Sequence, residues 1–312
     1  FDEKYLVLPK ELLISTMKKN QKYFYVNDLS GNLLNYFIGV ANIPMDKDEA
    51  IIKGNQRVIR ARFEDARFFF EEDIKTGLTP LIPKLGDVLF QKQLGTYKDK
   101  VDRIKKIALK LNKQLNFNID EQLINDGADL IKVDLLTGMV GEFPELQGIA
   151  GFYFANKLGI NKDIALSIKE HYLPKTMTDE MPSIPLSLLL SISDKLDTLV
   201  GGFIAGMEPT GSKDAFGLRR IALSLLKIFT ENNYTLSLDE YFDIAIECFT
   251  VKQSPKDNLI LFFKERLKYF LRNNYDSDIV DAVMFKSNVI NSITINLCEA
   301  VKEFKNNENF NN

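Results

Sequence analysis

Pro185-Leu186-Ser187-Leu188-Leu189-Leu190-Ser191-Ile192-Ser193-Asp194-Lys195-Leu196-Asp197-Thr198-Leu199-Val200-Gly201-Gly202-Phe203 opens on a proline and then keeps helical periodicity. Proline is tolerated in the first turn of a helix, where its missing N–H would have no intrahelical partner. At about 100° per residue, Ile192, Leu196, Leu199, Val200 and Phe203 form one apolar stripe, and Asp194 and Asp197 lie ~60° apart just off it. Ser and Asp interrupt the apolar run well short of the ~20 residues that a membrane span needs. This is therefore a core helix of a helical body. Outward from it, helices are expected at 46–75, 98–116, 119–136, 143–158, 162–171, 185–206, 214–232, 238–250, 256–273 and 289–306. Their separators are Gly77, Pro80, Pro83, Asn116, Gly138, Gly141, Gly159, Pro174, Pro209, Gly211, Asn232 and Asn233, the residue types that end helices. Strand signals occur only before Met45: Lys22-Tyr23-Phe24-Tyr25-Val26 and Tyr36-Phe37-Ile38-Gly39-Val40-Ala41 flank the turn cluster Asn27-Asp28-Leu29-Ser30-Gly31-Asn32. A short helix with Pro9 in its first turn precedes them. The fold class is mainly α, with a small α+β element at the N-terminus and extra helices at the C-terminus. The Asn-rich end at 306–312 is expected to fray.

The chain has 312 residues, 45% hydrophobic and 27% charged, with a net charge of −3. That balance suits a soluble globular protein, argues against wholesale nucleic-acid binding, and leaves room for a local basic patch. Two cysteines, Cys248 and Cys298, exclude a disulfide framework or a cysteine zinc site. The single histidine, His171, excludes a His-rich metal centre. Phe1 in place of an initiator methionine suggests a piece of a longer polypeptide, and with no leader or membrane span in sight the expected location is the cytoplasm.

Four stretches could carry chemistry. Gly54-Asn55-Gln56-Arg57-Val58-Ile59-Arg60-Ala61-Arg62-Phe63-Glu64-Asp65-Ala66-Arg67-Phe68-Phe69-Phe70 puts Ile59, Phe63, Ala66 and Phe70 in one stripe, with Arg57, Arg60, Arg67, Glu64 and Glu71 opposite. Residues 51–110 hold fourteen Lys/Arg against eight Asp/Glu. An Arg-lined helix can hold a phosphate backbone; alternatively Arg60–Glu64 and Arg67–Glu71 are i,i+4 pairs on a solvated face. In Gly138-Met139-Val140-Gly141-Glu142-Phe143-Pro144-Glu145-Leu146-Gln147-Gly148-Ile149-Ala150-Gly151, Glu142, Pro144 and Glu145 suit a helix start, and Gly148 and Gly151 suit close helix packing better than a catalytic carboxylate pair does. His171 at one helix end, with Asp194 inside a later apolar helix, is the skeleton of an HD-type metal-dependent phosphohydrolase. That chemistry needs several imidazoles and carboxylates around its metals, and Tyr172 stands where Asp would follow the His. Finally, Pro209-Thr210-Gly211-Ser212 is a turn, Ser212 or Asp214 can cap the next helix, and Arg219 and Arg220 sit near its start, able to touch an acidic partner.

Together these stretches resemble the β subunit of bacterial tetrameric glycyl-tRNA synthetase. The resemblance is carried by Leu8-Pro9-Lys10-Glu11, Met17-Lys18-Lys19-Asn20-Gln21-Lys22-Tyr23-Phe24, Gly54–Arg62 running into Asp65–Phe70, and Phe90-Gln91-Lys92-Gln93-Leu94-Gly95-Thr96. It continues through Gly141–Gly148, Asp194–Gly201, Pro209–Ser212 and Arg219-Arg220, collinear over nearly the whole chain. The family's pattern has Pro and Ala where Ala215 and Gly217 stand here, which makes that helix start less rigid. The resemblance implies the end of an editing-like α+β domain with a connecting helix at 1–75, an HD-like helical domain at 76–235, and the start of a further helical domain at 236–312. The anticodon-binding domain would lie beyond Asn312. It also implies a part of glycine–tRNA ligase that positions tRNA(Gly) for a separate α subunit within an α2β2 heterotetramer. Glycine activation with ATP belongs to that α subunit, and no cofactor is expected on this chain. Candidate tRNA contacts are Arg57, Arg60, Arg62, Arg67, Lys92, Arg219 and Arg220. His171 and Asp194 become degenerate HD-like positions, with no catalytic residue, no metal, no membrane and no DNA partner. The rivals are an HD-type metal-dependent phosphohydrolase using His171 and Asp194, and a helical interaction module with no RNA role.

Overall fold

A computed structural model describes residues 1–42, 48–232, 234, 236–286 and 292–305. In chain order the elements are α1 (Lys10–Ser15), β1 (Phe24–Asn27), β2 (Leu33–Ile38), α2 (Asp48–Thr76), β3 (Leu89–Gln91), β4 (Gly95–Thr96), α3 (Tyr97–Gln114) and α4 (Glu121–Leu130). They continue with α5 (Gly138–Glu142), α6 (Ile149–Lys157), α7 (Lys162–Glu170), α8 (Pro185–Ile204), α9 (Leu218–Glu231), α10 (Leu238–Ile246), α11 (Lys256–Arg272), α12 (Ser277–Lys286) and α13 (Ser292–Lys305). Short 3-10 turns join several of them. The mainly α class expected from the sequence is what the chain adopts.

Two compact units interleave along the chain: Phe1–Lys84 with Leu130–Lys169, and Leu85–Asp129 with Glu170–Asn312. The expected divisions at 75 and 235 are linear, whereas each of these units is built from two separate stretches. In the first unit β1 and β2 pair antiparallel, with Phe24 opposite Ile38 and Tyr25 opposite Phe37. The Asp28 carboxylate closes their turn by accepting from the N–H groups of Ser30 and Asn32, both at 2.8 Å. α2 buries Ile59, Phe63, Ala66 and Phe70, the stripe that periodicity marks. Phe63 meets Phe1 and Tyr5 edge-on or tilted, and Phe70 meets Phe154.

The second unit is helices around α8. Leu189, Leu190, Ile192, Leu196, Leu199 and Val200 are wholly buried there, against α3, α9 and α10. α3 starts at a reciprocal capping box, Thr96 with Asp99, which satisfies two otherwise orphaned N–H groups. Among the described residues no helix is long and apolar enough to cross a membrane.

Several boundaries differ from expectation for local reasons. The helix expected at 143–158 is broken: Pro144–Leu146 forms a 3-10 turn, Gly148 takes φ +83°, and α6 begins only at Ile149. The one expected at 119–136 ends at Leu130, with a separate turn at Val133–Leu136. α9 begins at Leu218 rather than 214, because Gly217 is left-handed at φ +64°. The hairpin β3–β4 and the helices α5 and α12 have no counterpart in the periodicity reading. Residues 289–291 of the expected last helix, and the tail at 306–312, lie outside the described residues.

Candidate functional site

The basic helix α2 sorts its arginines by helical phase. Arg57, Arg60 and Arg62 are exposed and, among the described residues, make no hydrogen bond or ion pair. Arg67 is engaged instead, at 2.8 Å from Glu64 and 3.8 Å from Glu71. The expected Arg60–Glu64 pair does not form, because Glu64 is already taken: Lys4 and the Tyr5 hydroxyl donate to it at 2.7 and 2.6 Å. The hydrogen bond from Lys4, then that from Tyr5, hold the Glu64 carboxyl down at about 2. Counting about 100° per residue from Ile59, Arg57 and Arg60 fall ~60° apart on the outer side, while Arg62 lies on the opposite flank. The free cations therefore form a two-residue patch with one outlier.

Lys92 is exposed in the loop between β3 and β4. At α9, Asp214 supplies the cap, accepting from the N–H groups of Leu218 at 2.7 Å and Arg219 at 3.0 Å. The turn before it is closed by paired backbone bonds between Thr210 and Lys213. Arg220 is exposed and Arg219 half-buried, and Arg219 lines a cavity of about 410 Å³ with Leu223, Glu265, Arg266 and Tyr269. A second cavity, about 500 Å³, is lined by Tyr36, Phe37, Ile38, Ile51, Ile52 and others of the first unit, with no charged side chain among them.

Cations of the chain itself lie against both positions that the hydrolase reading uses, Lys195 at the main chain of His171 and Lys100 at the carboxylate of Asp194. His171 is fully buried beside Tyr172, and its main-chain oxygen accepts from the Lys195 ammonium at 3.3 Å, which also bonds the Leu173 carbonyl at 2.9 Å and the Ser191 hydroxyl at 2.8 Å. Lys100 stands between the two aspartates, 2.9 Å from Asp194 and 2.8 Å from Asp197. Arg103 takes the other oxygen of Asp197 at 2.6 Å and the Leu94 carbonyl at 2.9 Å. Burial alone would lower the Lys100 pKa, but the two carboxylates outweigh it and hold the ammonium above its ordinary range. A divalent ion placed on Asp194 and Asp197 would face this ammonium and guanidinium, so the residues do not fit the metal that the HD skeleton implies. Among the described residues no three His, Cys, Asp or Glu gather as a ligand set. Sequence reasoning misses Lys100 and Arg103. A signal for one of them exists: Lys100 shares the α3 stripe of Ile104, Ile107 and Leu111 at about 100° per residue, an odd place for a lysine unless it is paired.

The glycine-rich stretch is structural. Glu145 accepts from Ser15 and pairs with Lys19 at 2.8 Å, and Glu142 is exposed, so no carboxylate pair forms. A Cβ on Gly151 would lie 2.5 Å from Ile168 and 2.9 Å from Asp134. Asp134, wholly buried, accepts from the Gly148 N–H at 2.5 Å, and its burial, opposed by that bond, pushes the carboxyl up to about 6. Asp73 similarly caps α5 through the Gly138 and Met139 N–H groups at 2.9 and 2.8 Å.

Comparison with known proteins agrees with the resemblance in the motifs. A family model described as glycyl-tRNA synthetase beta subunit matches residues 1–285. The glycine–tRNA ligase beta subunit of Oceanobacillus iheyensis is 41% identical over 290 residues, which cover 91% of this chain and 42% of the relative. That of Thermodesulfovibrio yellowstonii is 42% identical over 286 residues, 91% of this chain and 41% of the relative. That of Rickettsia bellii is 40% identical over 282 residues, 90% and 42%. The chain thus spans about two fifths of the length of the curated relatives it matches.

Proposed function

The chain belongs to the glycyl-tRNA synthetase beta-subunit family, and from that premise we propose that it is part of the tRNA-binding β subunit of a cytoplasmic glycine–tRNA ligase. That ligase converts ATP, glycine and tRNA(Gly) to glycyl-tRNA, AMP and diphosphate. In this reading activation occurs in a separate α subunit within an α2β2 assembly, and this chain holds tRNA(Gly) in place without a cofactor or a catalytic residue of its own. The observation that carries it is the exposed pair Arg57 and Arg60, without a partner among the described residues, on a helix whose other face is buried. Phosphate contacts of that kind fix register and orientation without reading sequence. In the second unit Lys92, Arg219 and Arg220 are exposed or half-exposed cations and separate candidate contacts; on α2, Arg62 and Arg67 are weaker members, one off the patch and one engaged by carboxylates.

Cross-linking of the chain to tRNA(Gly), mapped to residues, tests this. Cross-linked peptides are expected to include 54–67; a map confined to other segments overturns the α2 assignment, and the absence of any tRNA(Gly) complex at low salt overturns the proposal. The hydrolase reading, which uses His171 and Asp194, finds no support at Asp194, whose charge is already met by Lys100.

A further inference from the structure

The groove between α9 and α11 in the second unit is a different kind of surface from α2. It is a cavity of about 410 Å³ lined by Arg219, Leu223, Glu265, Arg266 and Tyr269, within the ~300–1,000 Å³ range of pockets that hold small ligands. Tyr269 is 66% exposed and has no hydrogen-bond or ring partner among the described residues, so both its phenol and its ring face are available. The Arg219 guanidinium, half-buried beside it, also has no acceptor among the described residues. A half-buried guanidinium without an anion leaves five donors aimed at solvent or ligand. The helix start next to it cannot serve that anion, since Asp214 already takes the N–H groups of Leu218 and Arg219. The anion must be met by the side chain.

Arg266 completes the wall and is held rigid. Its guanidinium lies 3.8 Å from the Phe262 ring centroid, and it donates to the Phe262 carbonyl at 3.0 Å and to Glu265 at 2.7 Å. Glu265, the acidic residue among those lining the groove, is thereby ion-paired. α11 as a whole carries five basic and two acidic residues.

We propose that this groove docks one unstacked nucleotide of an RNA, its base on the Tyr269 ring and its phosphate on Arg219. An exposed aromatic face beside a free guanidinium matches the two parts of a nucleotide, and a base inside an A-form duplex cannot present its face to a side chain. The ligand is therefore a single-stranded or bulged position, whereas α2 suits the continuous backbone of a duplex. The inference rests on the tRNA reading above and adds to it which structural feature of the tRNA this unit holds.

The test measures binding of the whole chain to a tRNA(Gly) transcript and to an unstructured oligouridylate of about eight nucleotides, across a salt series. Tyr269→Ala is expected to weaken both by roughly tenfold or more, with an unchanged salt slope, because stacking rather than charge is removed. Tyr269→Phe is expected to bind within about twofold of the unaltered chain, since every base stacks on a ring with or without its hydroxyl. Arg219→Ala is expected to weaken both and to reduce the slope of log K against log salt by about 0.7–0.9. Far-UV circular dichroism confirms that these variants stay folded. Binding of both RNAs unchanged in Tyr269→Ala and Arg219→Ala overturns the groove. If Arg57→Ala with Arg60→Ala lowers the salt slope of tRNA(Gly) binding in that case, the tRNA reading stands without it. Tyr269-dependent binding of the oligouridylate with no binding of tRNA(Gly) upholds the groove as a nucleotide site and overturns the tRNA reading.

Discussion

Lys100, Arg103 and Lys195 in the second unit and Arg57, Arg60 and Arg62 on α2 are the same kind of charge put to opposite uses. The first three are 3–8% exposed, and their donors are spent on Asp194, Asp197 and backbone carbonyls. The second three stand in solvent and, among the described residues, have no partners. A buried cation must be compensated inside the protein or the fold is lost, so it is closed to any ligand. An exposed one costs little to keep and is free to meet a phosphate. Asp194 and Asp197 are thus spent on internal pairing, while the exposed cations Arg57, Arg60 and Arg62 lie on another helix.

The hardest way to break this comparison is Asp197→Ala. It strands Lys100 and Arg103 without their shared carboxylate, and a buried charge left unpaired costs ~3–5 kcal/mol. Urea unfolding is expected to show a loss of that size; a loss below about 1 kcal/mol would mean that water reaches the cluster and that its cations are not internal. Asp134 is the counter-case, a buried carboxylate held by a backbone N–H. Its carboxyl, raised from 3.8 to about 6, binds a proton more readily in the folded than in the unfolded state. Stability from this group therefore rises as pH falls from about 6 toward 4, by up to ~3 kcal/mol, and the penalty is fully present above pH 6. Comparing urea midpoints of the unaltered chain and Asp134→Asn across that window isolates the effect, and parallel profiles would refute it.

How much of this is legible in the sequence follows the same division. The stripes Ile59–Phe63–Ala66–Phe70 and Ile192–Leu196–Leu199–Val200 are local periodicity and are buried as read. The Asp194–Lys100–Asp197–Arg103 cluster joins residues about a hundred positions apart, and periodicity records nothing at that range. The break at Gly148 escapes periodicity because a glycine inside an apolar run signals either close packing or a left-handed turn; here Gly151 is the first and Gly148 the second. The Arg60–Glu64 pair fails for a similar reason: Lys4 and Tyr5, sixty residues upstream, claim the carboxylate first. Among the candidate contacts, side-chain phase alone distinguishes Arg62 from Arg57 and Arg60, and that can be counted from the sequence.

Packing supplies a middle-sized test. Gly151→Ala places a methyl 2.5 Å from Ile168 and 2.9 Å from Asp134, an overpacking expected to cost ~1–3 kcal/mol in thermal or urea unfolding. A neutral result would show that α6 and α7 can separate, and with them the cap that Asp134 makes.

The smallest expected change in stability is the most informative for function. Arg57→Ala combined with Arg60→Ala removes two charges that hold nothing in the fold together, so the urea midpoint should move by no more than ~0.5 kcal/mol. Binding should respond differently, because a chain that neutralises fewer phosphates releases fewer counterions. The slope of log K against log salt for tRNA(Gly) should fall by roughly 1.5 for two phosphates, and Arg62→Ala should change it less, since Arg62 projects from the other flank. A double variant that unfolds would place these arginines with the buried cations. One that stays folded and keeps the full salt slope would leave them as ordinary solvated surface and move the proposed phosphate contacts to the side chains of Lys92, Arg219 and Arg220.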